Sequence, residues 1–250
     1  MYQTNMYESV LAETVVIHGD QGTPIHAYYA RPLGAGPFAG IVLAHHLPGW
    51  DEWYREATLR FARYGYLAIC PNLYERSGHG TPEDVAAKAR AAGGVPDDQA
   101  VGDLAGAALF IKSQANSSHK AAIFGTCSGG RHAYLAACRS TEFQAVIDCW
   151  GGRVVMRSED LTPNQPVAPI SYTKDLAVPL LGLFGSDDQG PTPEQVAIHE
   201  QELIRLGKDY EFHMYQGAGH GFFYYHRPAY RPEAAVDGWN KIFAFLARHI

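Results

Sequence analysis

The segment GTCSGG at 125–130 places a cysteine between glycines, where an apolar run meets a helix-forming segment. A sharp strand-to-helix turn of this kind holds a nucleophile in a strained backbone, and glycines beside it avoid collisions with the strand and the helix. A thiol at a helix N-terminus also lies at the positive end of the helix dipole, which favours the thiolate. We therefore predict that Cys127 is a nucleophile. The alternative is a buried apolar cysteine.

A cysteine nucleophile needs a base, and the base needs an acid that orients it. The segment GSDD at 185–188 follows one apolar run, and GAGHG at 217–221 follows the next. Both segments follow predicted strands, so they lie at the carboxyl edge of the sheet, where α/β proteins place their sites. His220 is the predicted base, and spacing alone leaves Asp187 and Asp188 as candidate acids. The order nucleophile, acid, histidine is the one expected for this type of turn.

The carbonyl oxygen of a substrate needs two hydrogen-bond donors where it becomes negative. One predicted donor is the backbone N–H of Ser128, directly after the nucleophile. The second comes from HLPGW at 46–50, which follows a predicted strand; the N–H of Leu47 fits best because Pro48 has none. An ordinary Pro-Gly turn would give the same sequence.

Short apolar runs alternate with segments of helical spacing along the chain, which is typical of a largely parallel sheet with crossover helices. The first two strands are close enough to form a hairpin. The predicted strands are 14–18, 25–30, 40–45, 66–71, 121–125, 145–149, 179–184 and 211–215, and the predicted helices are 52–64, 83–92, 97–115, 128–138, 193–206 and 234–249. We predict a single α/β domain over 1–250, with irregular segments at 74–82 and 152–177. The longer one is a candidate lid or binding loop.

Composition narrows the class of protein. The chain has 250 residues, of which 46% are hydrophobic and 18% charged, so we expect a soluble globular protein. A net charge of −6 without a basic run argues against nucleic acid as a partner. No membrane span or signal-like N-terminus is apparent, so we expect a cytoplasmic location and no membrane partner. The four cysteines form no CxxC pair and no HExxH motif occurs, so no cofactor or metal is expected.

Together these motifs resemble the dienelactone hydrolase family, a cysteine-using branch of the α/β-hydrolase fold. The segment at 125–130 is similar to the family's nucleophile turn, GSDD at 185–188 to its acid turn, and AGHGF at 218–222 to its histidine motif. IVLAHHLPGW at 41–50 is similar to its oxyanion loop, and CPNLYER at 70–76 is a further match. The resemblance implies an α/β-hydrolase fold, with a mostly parallel central sheet of about eight strands flanked by helices.

The resemblance also implies a role for each matched residue. Cys127 would be the nucleophile, Asp188 the acid and His220 the base, and the amides of Leu47 and Ser128 would form the oxyanion hole. Asp188 is chosen over its neighbour because the family places its acid third after the glycine.

Four residues are predicted to bind substrate: Arg76, His46, Trp50 and Tyr224. The resemblance implies that Arg76 contacts a substrate carboxylate. His46 occupies the place of a glutamate that bonds to the resting thiol in the best-known members, and Tyr224 occupies the place of a second arginine. These two departures leave open the resting protonation of the thiol and the charge of the substrate.

We therefore predict a cofactor-free hydrolase of small-molecule esters or lactones, acting through a Cys-His-Asp triad and an acyl-cysteine intermediate, as a monomer or homodimer. A general carboxylesterase or thioesterase is a close alternative, because fold and triad do not choose the acyl group. A redox-sensing, non-hydrolytic module with an oxidisable Cys127 is an alternative from another class.

Overall fold

The structure is a computed structural model that describes residues 9–250. Its eight strands form one sheet in the order β1-β2-β4-β3-β5-β6-β7-β8. The strands are β1 (Val10–His18), β2 (Pro24–Pro32), β3 (Phe38–Ala44), β4 (Leu67–Pro71), β5 (Ser117–Thr126), β6 (Ala145–Cys149), β7 (Leu180–Gly185) and β8 (Tyr210–Tyr215). The helices are α1 (Glu52–Arg63), α2 (Pro82–Ala91), α3 (Asp97–Lys112), α4 (Ser128–Arg139), α5 (Pro193–Arg205) and α6 (Pro232–His249).

The alternation predicted from the sequence is present, including the hairpin of β1 and β2. The largest differences are at strand starts, where β1 begins at Val10 and β5 at Ser117. The residues added to β5 are polar, and the mostly apolar residues added to β1 are largely exposed, so neither addition has the pattern of a buried strand. They are strands because β1 pairs with β2 along its whole length and Ser117 pairs with Phe38 across a bulge. The single domain over 1–250 stays a prediction, and residues 1–8 lie outside the described part.

Strands β3 to β8 are mutually parallel, and only β1 and β2 run antiparallel to their neighbours. Along β3, Ile41 and Leu43 pack with α1 and α6 on one face of the sheet. Val42 and Ala44 pack with α3 and α4 on the other face. The central strands are buried on both faces, which explains their unbroken apolar runs. No helix within residues 9–250 is long and apolar enough to cross a membrane.

The register of the parallel strands brings four connecting loops to one edge. Ala44 at the end of β3 pairs with Gly125 near the end of β5, and Gly185 at the end of β7 pairs with Tyr215 at the end of β8. The loops that follow these strands carry all three predicted catalytic side chains and both predicted oxyanion amides. The fold therefore places them together at the carboxyl edge of the sheet.

Candidate active site

Cys127 connects β5 to α4 with φ 56° and ψ −126°, in the left-handed region that side chains other than glycine seldom adopt. A Cβ atom at Gly125 would collide with the backbone of Gly129, and one at Gly129 would collide with the carbonyl oxygen of Ala44. These glycines are therefore required for the close approach of helix α4 to the strands. The turn presents the thiol at the edge of the sheet, half-buried rather than packed in the core.

His220 and Asp188 form a hydrogen-bonded pair at this edge. The Nδ1 atom of His220 lies 2.9 Å from Oδ2 of Asp188, whose carboxylate is buried. The Asp188 carboxylate also accepts the backbone N–H of Gly190 at 2.8 Å. Asp187 is exposed and accepts a hydrogen bond from the hydroxyl of Ser186 instead. Asp188 is therefore the acid that faces the histidine.

The thiol and the imidazole shift each other's protonation. Burial alone would raise the pKa of the Cys127 thiol, but the hydrogen bond with His220 and the nearby amides outweigh burial and lower it. Burial alone would lower the pKa of His220, but the hydrogen bonds with Asp188 and Cys127 raise it to about 10. Both shifts favour the thiolate–imidazolium form of the pair over the neutral form.

The two predicted oxyanion donors lie at the sulfur. The backbone N–H groups of Ser128 and Leu47 both form hydrogen bonds with Cys127 that favour its thiolate. Ser128 is the first residue of α4, so the helix dipole points at the same place. Two donors that already face the nucleophile are well placed for the negative oxygen of a tetrahedral intermediate.

A cavity of about 640 Å³ opens over Cys127 and His220. Its volume lies within the range of small-molecule sites. The predicted lid or binding loop at 152–177 forms part of its wall through Gly152, Arg153, Thr162 and Gln165. The rest of the wall comes from the ends of the other loops and from α2: Leu47, Arg90, Gly93, Gly94, Ser128, Arg131, Asp187, Asp188, Gln189 and Gly190.

His46 and Tyr224 lie behind the nucleophile rather than in the cavity wall. Nε2 of His46 lies 2.6 Å from Asp51, and Nδ1 lies 2.8 Å from the hydroxyl of Tyr224. That hydroxyl lies 2.6 Å from Oγ1 of Thr126, which lies 2.8 Å from the hydroxyl of Tyr54. This buried chain ties together the loops after β3, β5 and β8. His46 and Tyr224 thus hold together the backbone behind the nucleophile, and their role toward a substrate stays a prediction.

Trp50 is also outside the cavity wall. Its ring packs edge-on against Tyr28 at 6.5 Å and lies 5.5 Å from the guanidinium of Arg55. These contacts anchor the far end of the loop that carries Leu47. Trp50 thus anchors this loop, and its predicted contact with substrate stays a prediction.

Arg76, predicted from the resemblance to contact a substrate carboxylate, is not among the residues that line the cavity. Its guanidinium makes a bidentate pair with the fully buried Asp103, at 2.8 and 3.0 Å. Asp103 accepts a third hydrogen bond from the backbone N–H of Asp20. The charge of Arg76 is thus already neutralised. No local sequence pattern indicates this pair, because Asp103 lies on α3, 27 residues further along the chain.

Three arginines of the cavity wall were not found by sequence reasoning. Arg131, four residues after Cys127 on the first turns of α4, is buried in a bidentate pair with Asp97. The guanidinium of Arg153 donates to two neutral oxygens of the described residues, the side-chain oxygen of Gln165 and the backbone carbonyl of Asp160. Arg90, in the last turn of α2, forms no ion pair with another described residue. Helical spacing from Cys127 could have identified Arg131, but no local pattern identifies the other two.

Comparison with known proteins decides the family. A profile described as "Dienelactone hydrolase family" matches residues 25–250. The chain belongs to the dienelactone hydrolase family. A Salmonella typhimurium protein named "Putative carboxymethylenebutenolidase" is 33% identical over 234 residues, which cover 92% of this chain and 84% of that protein. One of the same name from Methylorubrum extorquens is 34% identical over 227 residues, covering 87% and 75%.

A solved structure supports the same assignment. The crystal structure titled "Putative Dienelactone Hydrolase" from Klebsiella pneumoniae superposes with a TM-score of 0.88 at 30% identity, and the match covers 97% of this chain and 100% of that one. As a dienelactone hydrolase family member, the chain is a hydrolase with the expected α/β-hydrolase fold.

Within residues 9–250 no group of three or more histidine, cysteine or acidic side chains could hold a metal ion.

Proposed function

We propose that this protein hydrolyses ester or lactone bonds by transferring the acyl group to Cys127. The observation that carries the proposal is the line of Cys127, His220 and Asp188 beneath a cavity, with the amides of Leu47 and Ser128 facing the sulfur. The names of relatives agree with this chemistry: besides the carboxymethylenebutenolidases, a Bradyrhizobium protein 25% identical over 233 residues is named a "Probable 2-oxo-3-(5-oxofuran-2-ylidene)propanoate lactonase".

The mechanism follows from these positions. The thiolate of Cys127 attacks the carbonyl carbon, a C–S bond forms, and the carbonyl electron pair moves to the oxygen, which binds the amides of Leu47 and Ser128. When the intermediate collapses, the C–O bond breaks and the imidazolium of His220 protonates the departing alkoxide. In a lactone this oxygen stays attached to the acyl group.

Deacylation uses the same groups. His220, now neutral, takes a proton from water as the water attacks the thioester of Cys127. The second tetrahedral intermediate releases the carboxylic acid and returns the thiolate and imidazolium. Asp188 holds Nδ1 of His220 protonated, so that Nε2 faces the reaction, and stabilises the positive charge. No cofactor is required in either half.

A pH profile tests the resting ion pair. We expect kcat/KM to rise as pH passes the lowered pKa of Cys127, below 9, because attack needs the thiolate. It should fall near pH 10, because deprotonated His220 cannot protonate the leaving group. The rate of Cys127 alkylation by iodoacetamide should show only the rise with pH, because alkylation needs the thiolate but no proton from His220. In His220→Asn the alkylation midpoint should move upward; an unchanged midpoint would contradict the ion pair.

The charge of the substrate is tested by two matched arginine variants. A substrate carboxylate in the cavity would face Arg90 and Arg153, not Arg76. We expect Arg90→Ala to raise KM for esters with an anionic acyl group on the order of threefold to tenfold, since the site is open to water, and to leave neutral esters unchanged.

Arg76→Ala should act on stability instead. It leaves the buried carboxylate of Asp103 without its cation, which costs about 3 kcal/mol and lowers Tm by roughly 6–12 °C. KM for anionic and neutral esters should stay equal to that of the unmodified protein. A selective rise in KM with unchanged Tm would restore Arg76 as a substrate contact.

The rates at which the protein hydrolyses three substrates test the proposed reaction itself. We expect saturable release of carboxylate from an aryl ester and from a five-membered lactone. A thioester with the same acyl group tests the thioesterase alternative, which predicts a higher kcat/KM for the thioester than for the ester. If the protein hydrolyses none of them, yet added hydrogen peroxide oxidises Cys127 to a sulfenic acid with release of water and a thiol reverses the change, the redox-sensing alternative is favoured over the hydrolase.

A further inference from the structure

His45, the first residue after β3, is fully buried and has both ring nitrogens in hydrogen bonds. The backbone N–H of Leu73 donates to Nε2 at 3.0 Å, and Nδ1 lies 3.0 Å from the carbonyl oxygen of His46. An amide can only donate, so Nε2 carries the lone pair and the proton is on Nδ1. Nδ1–H therefore donates to the carbonyl of His46. Burial lowers the pKa of His45 to about 4, so the ring keeps this neutral form at neutral pH.

The carbonyl that His45 binds belongs to the peptide that supplies an oxyanion donor. In a trans peptide the C=O and N–H groups point in opposite directions, so fixing the carbonyl of His46 also aims the N–H of Leu47. The same carbonyl accepts the N–H of Gly49 at 2.9 Å. Held from behind in this way, the peptide presents the N–H of Leu47 to the sulfur of Cys127.

We infer that His45 is a positioning residue that keeps the oxyanion hole formed before substrate arrives, by holding the 46–47 peptide through its carbonyl. The inference rests on the proposed function and deepens it. His45 itself is absent from the cavity wall formed by the described residues, so it acts through the peptide and not on the substrate. Its effect should therefore fall on kcat, where the oxyanion forms, and not on KM.

The test compares His45→Leu with His45→Asn, two side chains of similar shape. Both leave the N–H of Leu73 without its acceptor, so the cost of this unpaired amide is common to the two variants. Only asparagine places an N–H donor where Nδ1 was, attached to the same carbon position. We expect His45→Leu to lower kcat for an aryl ester by about 10²-fold or more at nearly unchanged KM, the order seen when one oxyanion donor is lost. The kcat of His45→Asn should be at least about tenfold higher than that of His45→Leu.

Alkylation of Cys127 by iodoacetamide provides a second readout, because it forms an S–C bond and releases iodide without any oxyanion. Measured above the alkylation midpoint of each variant, where the thiol is fully ionised, both variants should alkylate at the rate of the unmodified protein. Equal kcat in the two variants, or alkylation that falls in proportion to kcat, would overturn the role of His45. Absence of ester turnover in the unmodified protein would instead overturn the proposed function, so the two failures are distinguishable.

Discussion

Replacing Cys127 with alanine should reduce ester and lactone turnover by at least about 10⁴-fold, because no other group in the cavity can form the acyl intermediate in the same place. The neighbouring Ser128 hydroxyl is at the first position of α4, whereas the strained turn presents the side chain of residue 127. The measurement is the initial rate of aryl ester hydrolysis across enzyme concentrations, with Tm recorded on the same samples.

The fold should survive this change, since alanine fills the same turn with a smaller side chain, and we expect Tm to shift by no more than about 4 °C. Cys138→Ala is the matched control. Cys138 lies on α4, the helix that follows Cys127. Burial raises the pKa of the Cys138 thiol to about 12, so this thiol is inert at neutral pH. Its variant should keep turnover. Retained turnover in Cys127→Ala would remove Cys127 from the mechanism.

Replacing Asp188 with asparagine should lower turnover on the order of 10⁴-fold. The neutral amide cannot stabilise the imidazolium charge, and its NH2 group can donate to Nδ1 of His220 and hold the imidazole in the wrong tautomer, so the His220 pKa is no longer raised as strongly. The basic limb of the pH profile should accordingly move downward. Asp187→Asn is the matched control: Asp187 also lines the cavity, but it bonds to Ser186 and not to His220, so its loss should change turnover only severalfold. A larger loss at Asp187 would reverse the roles.

Much of the fold could be predicted because buried parallel strands produce unbroken apolar runs, as in β3 and β5. The position of Cys127 could be predicted for a similar local reason: a strained turn between strand and helix requires glycines close in sequence. The amino ends of β1 and β5 could not, because most of their side chains are at least partly exposed and backbone pairing defines these ends as strand.

The side-chain contacts of the site were less predictable, because they join residues far apart in the chain. Spacing could not separate Asp187 from Asp188; the turn after β7 does so by burying one carboxylate against His220 and exposing the other. The partner of Arg76 is on α3, and the hydroxyl that bonds to His46 belongs to Tyr224, 178 residues further along the chain. A motif identifies the backbone that carries a residue, but only the packed fold determines what its side chain meets.

The acyl-cysteine intermediate is tested most directly by intact mass after brief mixing with an activated ester and acid quench. We expect one added acyl group, located by fragmentation on Cys127 and not on Ser128, removed by hydroxylamine, and decaying at a rate that matches turnover. Turnover without an adduct on Cys127, or an adduct that persists while turnover continues, would contradict acyl transfer to this thiol.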